Sequence, residues 1–228
     1  MRVRVPVAVA LAATLLTGCA QSVDPIERLG KKAAQRVHPH GPSREQPYRH
    51  WGLTAPLAPA PKPSPGPPAR SAGPALPPVV DHVRTRDKVV FLTYDHDAGA
   101  RRDPSFATMV RELRLPVTEF GTAQDRRPVA GLPYDAQRTE ICATRTRLLR
   151  PPYGTYDTTT RRAAADCGVS ALVLWRASTT TGTLTYARGA HRLTPGDIVR
   201  ITPTDTTARL LRGIQERGLT VGRLEDYL

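Results

Sequence analysis

The chain has 228 residues, of which 39% are hydrophobic, and it carries 23 prolines and a formal net charge of +13. This length leaves room for one domain or for two small ones. The basic balance indicates an anionic partner such as a nucleic acid, a membrane surface or an acidic polymer, and the first residues decide among these.

Residues 1–19 have the pattern of an export signal. Two arginines precede an apolar run over residues 5–16, which is too short to span a bilayer of roughly 30 Å as a helix. Such a run is typical of a secretory signal peptide. It ends in LTGC, which resembles a bacterial lipobox, so we predict a lipoprotein signal peptide over 1–18 and a lipid on Cys19. The alternative is an ordinary signal peptide followed by an incidental cysteine.

Export narrows the choice of partner. An exported protein meets little nucleic acid, so its basic charge is expected to face lipid headgroups or anionic wall polymers, or only to keep the chain soluble. A lipid on Cys19 would hold the protein on the cell membrane, facing the cell wall.

The next segment is rich in proline. From Pro39 to Pro78, 13 of 40 residues are proline, and such a segment buries too little apolar surface to offset the entropy lost on ordering. We therefore predict a lipidated, extended linker over 19–81 and a folded domain over 82–228.

The domain alternates between strands and helices. Apolar runs predict strands at 89–94, 116–120, 171–175 and 197–201, and a last one at 219–224. Capping residues predict helices that start at Asp103-Pro104, at Asp135 (ending near Leu148), at Asp157 or Thr158 (ending at Gly168), and at Thr204 or Asp205 (ending at Gly218). This alternation predicts an α/β fold with parallel strands, as an open sheet or a barrel. Functional sites in such folds lie at the carboxyl ends of the strands.

Two cysteines, Cys142 and Cys167, lie in predicted helical segments. In an oxidising compartment they either form a disulfide or remain as two buried thiols. The sequence does not choose between these alternatives.

Three stretches carry a resemblance to a known family. LTYDHD (92–97) ends the first strand, LLRPPYGTYD (148–157) follows a predicted helix, and LVLW (172–175) precedes LTPGDIVRI (193–201). In this order they resemble the polysaccharide deacetylase family, also called the NodB homology domain or carbohydrate esterase family 4, over about residues 86–228. The resemblance implies an irregular, incomplete (β/α) barrel, because about 40 residues of the usual fold are missing.

The resemblance also assigns roles to individual residues. Asp95 takes the position of the general base, and Arg150 takes that of the arginine that positions this base. The backbone N–H near Tyr153 takes the position that stabilises the oxyanion. Trp175 matches an aromatic residue at a strand end, where it either lines the substrate groove or packs in the core.

The metal site of the family is only partly matched. Members typically hold a divalent metal, usually zinc, with one aspartate and two histidines. The aspartate position falls on His96 in direct register, or on Asp97 with one extra residue. The segment 120–132, where a histidine pair is expected, contains no histidine. Thr202 stands where the family has its general-acid histidine.

Two functions follow from this mixed match. The first is a metal-dependent deacetylase-like hydrolase that removes acetyl groups from cell-wall or chitin-like glycans, with activity impaired by the missing ligands. The alternative is a non-catalytic, carbohydrate-binding or wall-associated lipoprotein. Both imply an acetylated cell-wall polysaccharide as partner and membrane attachment through a lipid, and neither implies nucleic acid.

Overall fold

The computed structural model describes residues 46–63, 76–96, 103–121, 127–180, 183–187, 191–202 and 206–228. The predicted signal peptide, Cys19, Asp97 and the side chain of His96 lie outside the described part of the chain. Within the described ranges, no helix has the length and apolar character needed to cross a bilayer.

Helices and strands alternate along the described chain. The helices are α1 (Pro47–His50), α2 (Pro104–Leu113), α3 (Tyr134–Ala143), α4 (Thr158–Asp166) and α5 (Thr206–Glu216). The strands are β1 (Val79–Val80), β2 (Val89–His96), β3 (Val117–Gly121), β4 (Leu148–Leu149), β5 (Ala171–Val173), β6 (Ala177–Thr180), β7 (Thr183–Tyr186), β8 (Ile198–Arg200) and β9 (Thr220–Val221). Short 3-10 turns cover Pro152–Gly154 and Leu224–Asp226.

The described strands form two mainly parallel sheets. One has the order β1-β5-β4, and the other has the order β3-β2-β8-β6-β7, with β9 paired to the start of β2. The pair β6–β7 is antiparallel, and the other described pairs are parallel. This mixed architecture confirms the predicted α/β fold, of the type expected for an irregular, incomplete (β/α) barrel.

Strand β2 lies between two apolar layers because successive side chains of a strand point to opposite faces. Val90 and Leu92 pack in a cluster with residues of α2 and α5. Phe91 packs in a second cluster with Ile198 of β8 and with Val173 of the other sheet. This second cluster fills the space between the two sheets and forms the floor on which the candidate site rests.

Two predicted helix starts are confirmed by their caps. Oδ1 of Asp103 accepts a hydrogen bond from the N–H of Ser105 at 2.8 Å, and Pro104 occupies the first turn of α2. Asp157 and Thr160 form a reciprocal capping box at the start of α4. Caps of this kind typically contribute about 1 kcal/mol to stability.

The predicted helix over 135–148 is too long. Helix α3 ends at Ala143, Arg145 adopts a left-handed conformation with φ of 49°, and Leu148–Leu149 form a strand paired with β5. The hydroxyls of Thr144 and Thr146 donate to nearby carbonyl oxygens, and such local bonds compete with helix continuation. A short strand therefore precedes Arg150, where the sequence predicted a helix running straight into it.

The predicted boundary of the domain at residue 82 is also wrong. Leu53 is buried in the core cluster of α2 and α5, and Nε1 of Trp51 donates to Glu112 at 2.8 Å. Gln215 donates to the carbonyl oxygen of Ala55 at 2.9 Å, and β1 pairs with β5. Apolar side chains between the prolines pack against α2 and α5. Carbonyl oxygens of the proline-rich backbone accept hydrogen bonds from the domain. Residues 46–63 and 76–81 thus belong to the folded unit, which begins near Glu45.

The cysteine alternatives are resolved by a disulfide between Cys142 and Cys167, whose Cα atoms are 5.0 Å apart. It links the last turn of α3 to the residue that ends α4. These two helices therefore form a cross-linked pair behind β4 and β5.

Candidate functional site

The candidate site lies at the carboxyl ends of the strands, as the fold type predicts. Thr93 of β2 pairs in register with Arg200 of β8. Strand alternation places Asp95 on the same face as Phe91, and Arg200 on the same face as Ile198. Both polar side chains therefore emerge directly above the apolar cluster between the sheets.

Arg150 is the buried cation of the site and contacts Asp95 from the protein interior. Its side chain is only 2% exposed, and its three donor nitrogens each reach an acceptor: Nη1 donates to Oδ1 of Asp95 at 3.0 Å, Nη2 to Oγ1 of Thr93 at 2.7 Å, and Nε to the carbonyl oxygen of Val173 at 3.3 Å. Its guanidinium lies 4.1 Å from the ring centre of Phe120. Burial lowers the pKa of Arg150 to about 10, so the group is still cationic at neutral pH.

Arg200 is a second cation at the same carboxylate. Its Nε lies 2.8 Å from Oδ2 of Asp95, and its side chain is 40% exposed. Its guanidinium lies 4.7 Å from the ring centre of Trp175. Sequence reasoning missed this residue, although a signal was present: Arg200 is two positions after Ile198 and so shares the inner face of a strand that is otherwise apolar.

The two arginines hold the candidate base from both sides. One oxygen of Asp95 faces Arg150 and the other faces Arg200, and such contacts between charged groups are stronger than those between neutral ones. The side chain of Asp95 is 18% exposed. The structure thus brings together the predicted pair Asp95 and Arg150, and adds a cation that the sequence did not predict.

Tyr153 and Trp175 form the aromatic part of the site. Tyr153 lies in the Pro152–Gly154 turn with φ of 57° and is 66% exposed. A Cβ added at Gly154 would come within 3.0 Å of the Trp175 ring, so the turn needs a glycine at this position. Trp175 packs on the second apolar cluster and also faces both guanidinium groups. It therefore serves core packing and the site together.

The described residues do not fit a zinc site. Zinc is held by three or four nitrogen, oxygen or sulfur ligands, and within the described part of the chain no group of three His, Cys, Asp or Glu side chains could hold a metal. Both described charged partners of Asp95 are guanidinium groups, which repel a metal cation. Thr202, at the expected general-acid position, donates its hydroxyl to the carbonyl oxygen of Thr179 at 2.9 Å.

His82 lies at the opposite end of β8 from the candidate site. Nε2 of His82 lies 2.8 Å from the carbonyl oxygen of Pro195 and 4.0 Å from Oδ1 of Asp197, the residue directly before β8. Arg200 ends the same strand. His82 therefore does not complete a metal site around Asp95.

Comparison with known protein sequences identifies a relative of this chain. No family model matches the chain. The uncharacterized protein SCO4760 of Streptomyces coelicolor is 50% identical over 208 residues, and the match covers 72% of this chain and 83% of that protein. The chain belongs to the same family as this Streptomyces protein.

Two solved structures show which fold this is. A family 4 carbohydrate esterase from Bacillus anthracis matches with a TM-score of 0.52 and 15% identity, over 65% of this chain and 86% of that one. A mutant of BA3943, described as a CE4 family pseudoenzyme, matches with a TM-score of 0.51 and 18% identity, over 68% of this chain and 71% of that one. The chain has the fold of the family 4 carbohydrate esterases, and the predicted resemblance is confirmed at the level of the fold.

Proposed function

We propose that this protein is a polysaccharide deacetylase-like lipoprotein that binds acetylated cell-wall glycan. It hydrolyses the acetyl groups far more slowly than an intact deacetylase, or not at all. Because a carbohydrate esterase and a mutant of a pseudoenzyme both share this fold, the proposal depends on the site rather than on the fold.

The pairing of Asp95 with two guanidinium groups carries the proposal. In the family that the sequence resembles, this carboxylate is the general base, which takes a proton from the attacking water. Here one oxygen accepts from Arg150 at 3.0 Å and the other lies 2.8 Å from Arg200. Protonation of Asp95 would remove the negative charge on which both of these contacts depend. Arg150 belongs to the family pattern, whereas Arg200 is an additional constraint on the base.

The position of the general acid adds a second obstacle. A threonine hydroxyl does not release a proton near neutral pH as an imidazolium does, and Thr202 already donates to Thr179. Losing a general acid typically costs a factor of about 10² to 10⁴ in rate.

Glycan binding requires aromatic surfaces but neither a metal nor a general acid. Sugar rings pack on aromatic faces, and Tyr153 is largely exposed beside Trp175. The Gly154 turn packs closely on the Trp175 ring, and the Arg150 guanidinium lies 5.4 Å from the centre of that ring, so Trp175 keeps its position without a metal. A groove for glycan can thus persist where the chemistry is lost.

Export and lipidation complete the proposal. The signal peptide over 1–18 and a lipid on Cys19 would place the domain outside the cell, on the membrane and facing the wall. The partners are then the membrane, through the lipid, and acetylated wall polysaccharide, with no role for nucleic acid.

The proposal is tested by measuring binding and hydrolysis on the same ligand. Calorimetry with N-acetylglucosamine oligomers should show saturable binding that Trp175→Ala weakens. Acetate release from the same oligomers and from peptidoglycan, with and without zinc, should stay far below that of an intact deacetylase.

A matched control is Trp51→Ala, because Trp51 packs on the apolar cluster of α2 and α5 rather than on the cluster beneath the site. It should leave glycan binding unchanged. Oligomer binding that is absent in the wild type, or rapid acetate release that Asp95→Asn abolishes, would contradict the proposal.

A further inference from the structure

Among the residues that the structure describes, the candidate site has two positive charges and one negative charge. Arg150 and Arg200 supply two guanidinium groups, and Asp95 supplies one carboxylate. Arg150 is buried, and all of its donor nitrogens already reach protein acceptors. Burial is the main cause of the lowered pKa of Arg150, and the nearby charge of Arg200 lowers it further. The excess charge therefore resides on Arg200, the only one of the two cations that solvent reaches.

Arg200 is held in place but open on one side. Its Nε faces Asp95 at 2.8 Å, and its guanidinium lies over the Trp175 ring at 4.7 Å. Among the residues that the structure describes, Nη1 and Nη2 of Arg200 contact no acceptor. A planar guanidinium fixed in this way presents N–H groups with the spacing of the two oxygens of a carboxylate.

We propose that Arg200 binds the carboxylate of an acidic sugar whose ring lies against Trp175 and Tyr153. This inference rests on the proposed function, in that it takes the site to bind glycan, and it names the ligand class. The single excess charge favours a monoanionic carboxylate over the dianion of a phosphate monoester. A neutral acetylated sugar could use the aromatic faces but would leave the Arg200 donors without an anion.

Two sugars that differ in one group provide the test. N-acetylmuramic acid equals N-acetylglucosamine with an added lactyl ether that carries a carboxylate. In NMR titrations of the full chain, we expect N-acetylmuramic acid to bind about tenfold more tightly or better, because a hydrogen bond to a charged group is worth at least that factor. The preference should shrink as salt is raised.

Arginine variants separate the site from general attraction to a basic protein. Arg200→Gln should abolish the preference between the two sugars. Arg111→Gln removes the same charge from the exposed face of α2 and should leave the preference intact. Equal binding of the two sugars by the wild type, or a preference that persists in Arg200→Gln, would overturn the inference.

Two further measurements identify the anion that Arg200 binds and distinguish this inference from the proposed function. Inorganic phosphate that displaces N-acetylmuramic acid at equal or lower concentration would also overturn the choice of a carboxylate. If the wild type binds N-acetylmuramic acid in an Arg200-dependent way but binds no N-acetylglucosamine oligomer, the inference stands and the proposed function fails. If it binds oligomers without preferring the acid, the proposed function stands and the inference fails.

Discussion

Replacing the buried arginine should reveal how strongly the site depends on it. Arg150→Met keeps most of the side-chain volume but removes the contacts to Asp95, Thr93 and Val173. Breaking a buried ion pair typically costs 3–5 kcal/mol, because the remaining charge is left unpaired. Here the cost falls at about the lower end of that range, because Asp95 keeps Arg200 and is 18% exposed. Thr93 also keeps its bond to the carbonyl oxygen of Val199 at 3.1 Å.

We therefore expect Arg150→Met to lower the free energy of unfolding by about 3 kcal/mol. Equilibrium unfolding in urea measures this change, and with a slope of about 2 kcal/mol per molar the midpoint should fall by about 1.5 M. Arg200→Met is the matched variant at the same carboxylate. Because Arg200 is 40% exposed, its loss should cost about 1 kcal/mol or less.

The double variant tests whether the two arginines share one partner. With both replaced, Asp95 has neither cation, so the combined cost should exceed the sum of the single costs. Adding Asp95→Asn to the double variant should recover part of the loss. An Arg150→Met cost no larger than that of Arg200→Met, or strictly additive costs, would refute this account of the site.

Three further predictions concern stability and attachment. Replacing Cys142 and Cys167 by serine should lower the free energy of unfolding by about 3.5 kcal/mol, because the bond closes a loop of 25 residues. Hydrogen bonds from the N–H of Gly131 and then of Thr160 lower the pKa of Asp157 to about 2, so its stabilising effect is complete above about pH 4 and is lost as the pH falls through about 2. The melting temperature of wild type should thus exceed that of Asp157→Asn at pH 7, and the gap should narrow toward pH 2. Cys19→Ala should release the protein from the membrane fraction or leave it unprocessed.

Each of these predictions has an outcome that contradicts it. A serine pair as stable as the wild type would show that the disulfide does not restrain the unfolded chain. A gap between wild type and Asp157→Asn that stays constant down to pH 2 would remove Asp157 as the titrating group. A mature Cys19→Ala protein that still fractionates with membrane would exclude the lipobox.

Some helix starts and strands could be predicted because they depend on residues close together in the sequence. The caps at Asp103 and Asp157 and the continuous apolar run of β2 depend on neighbouring residues, so they could be predicted. The pairing of Asp95 with Arg150 followed from a family pattern rather than from local physics, because 55 residues separate the two positions.

The features that were missed depend on long-range contacts. Arg200 reaches Asp95 only because β8 pairs with β2, and the sequence does not say which strands are neighbours. Trp51 and Leu53 sit in a proline-rich segment whose composition predicts an extended chain, yet α2 and α5 offer them an apolar surface. Disulfide geometry likewise requires the packing of α3 on α4, which the cysteine spacing does not reveal.

A zinc titration followed by calorimetry tests the central claim most directly, that the carboxylate of this site is held by guanidinium groups in place of a metal. If Arg150 and Arg200 occupy both oxygens of Asp95, zinc should bind weakly and without a defined stoichiometry, and Asp95→Asn should change the heats little. Tight binding of one zinc ion per chain that Asp95→Asn abolishes would contradict the claim. It would mean that residues outside the described part of the chain, with Asp97 the first to test, complete a metal site.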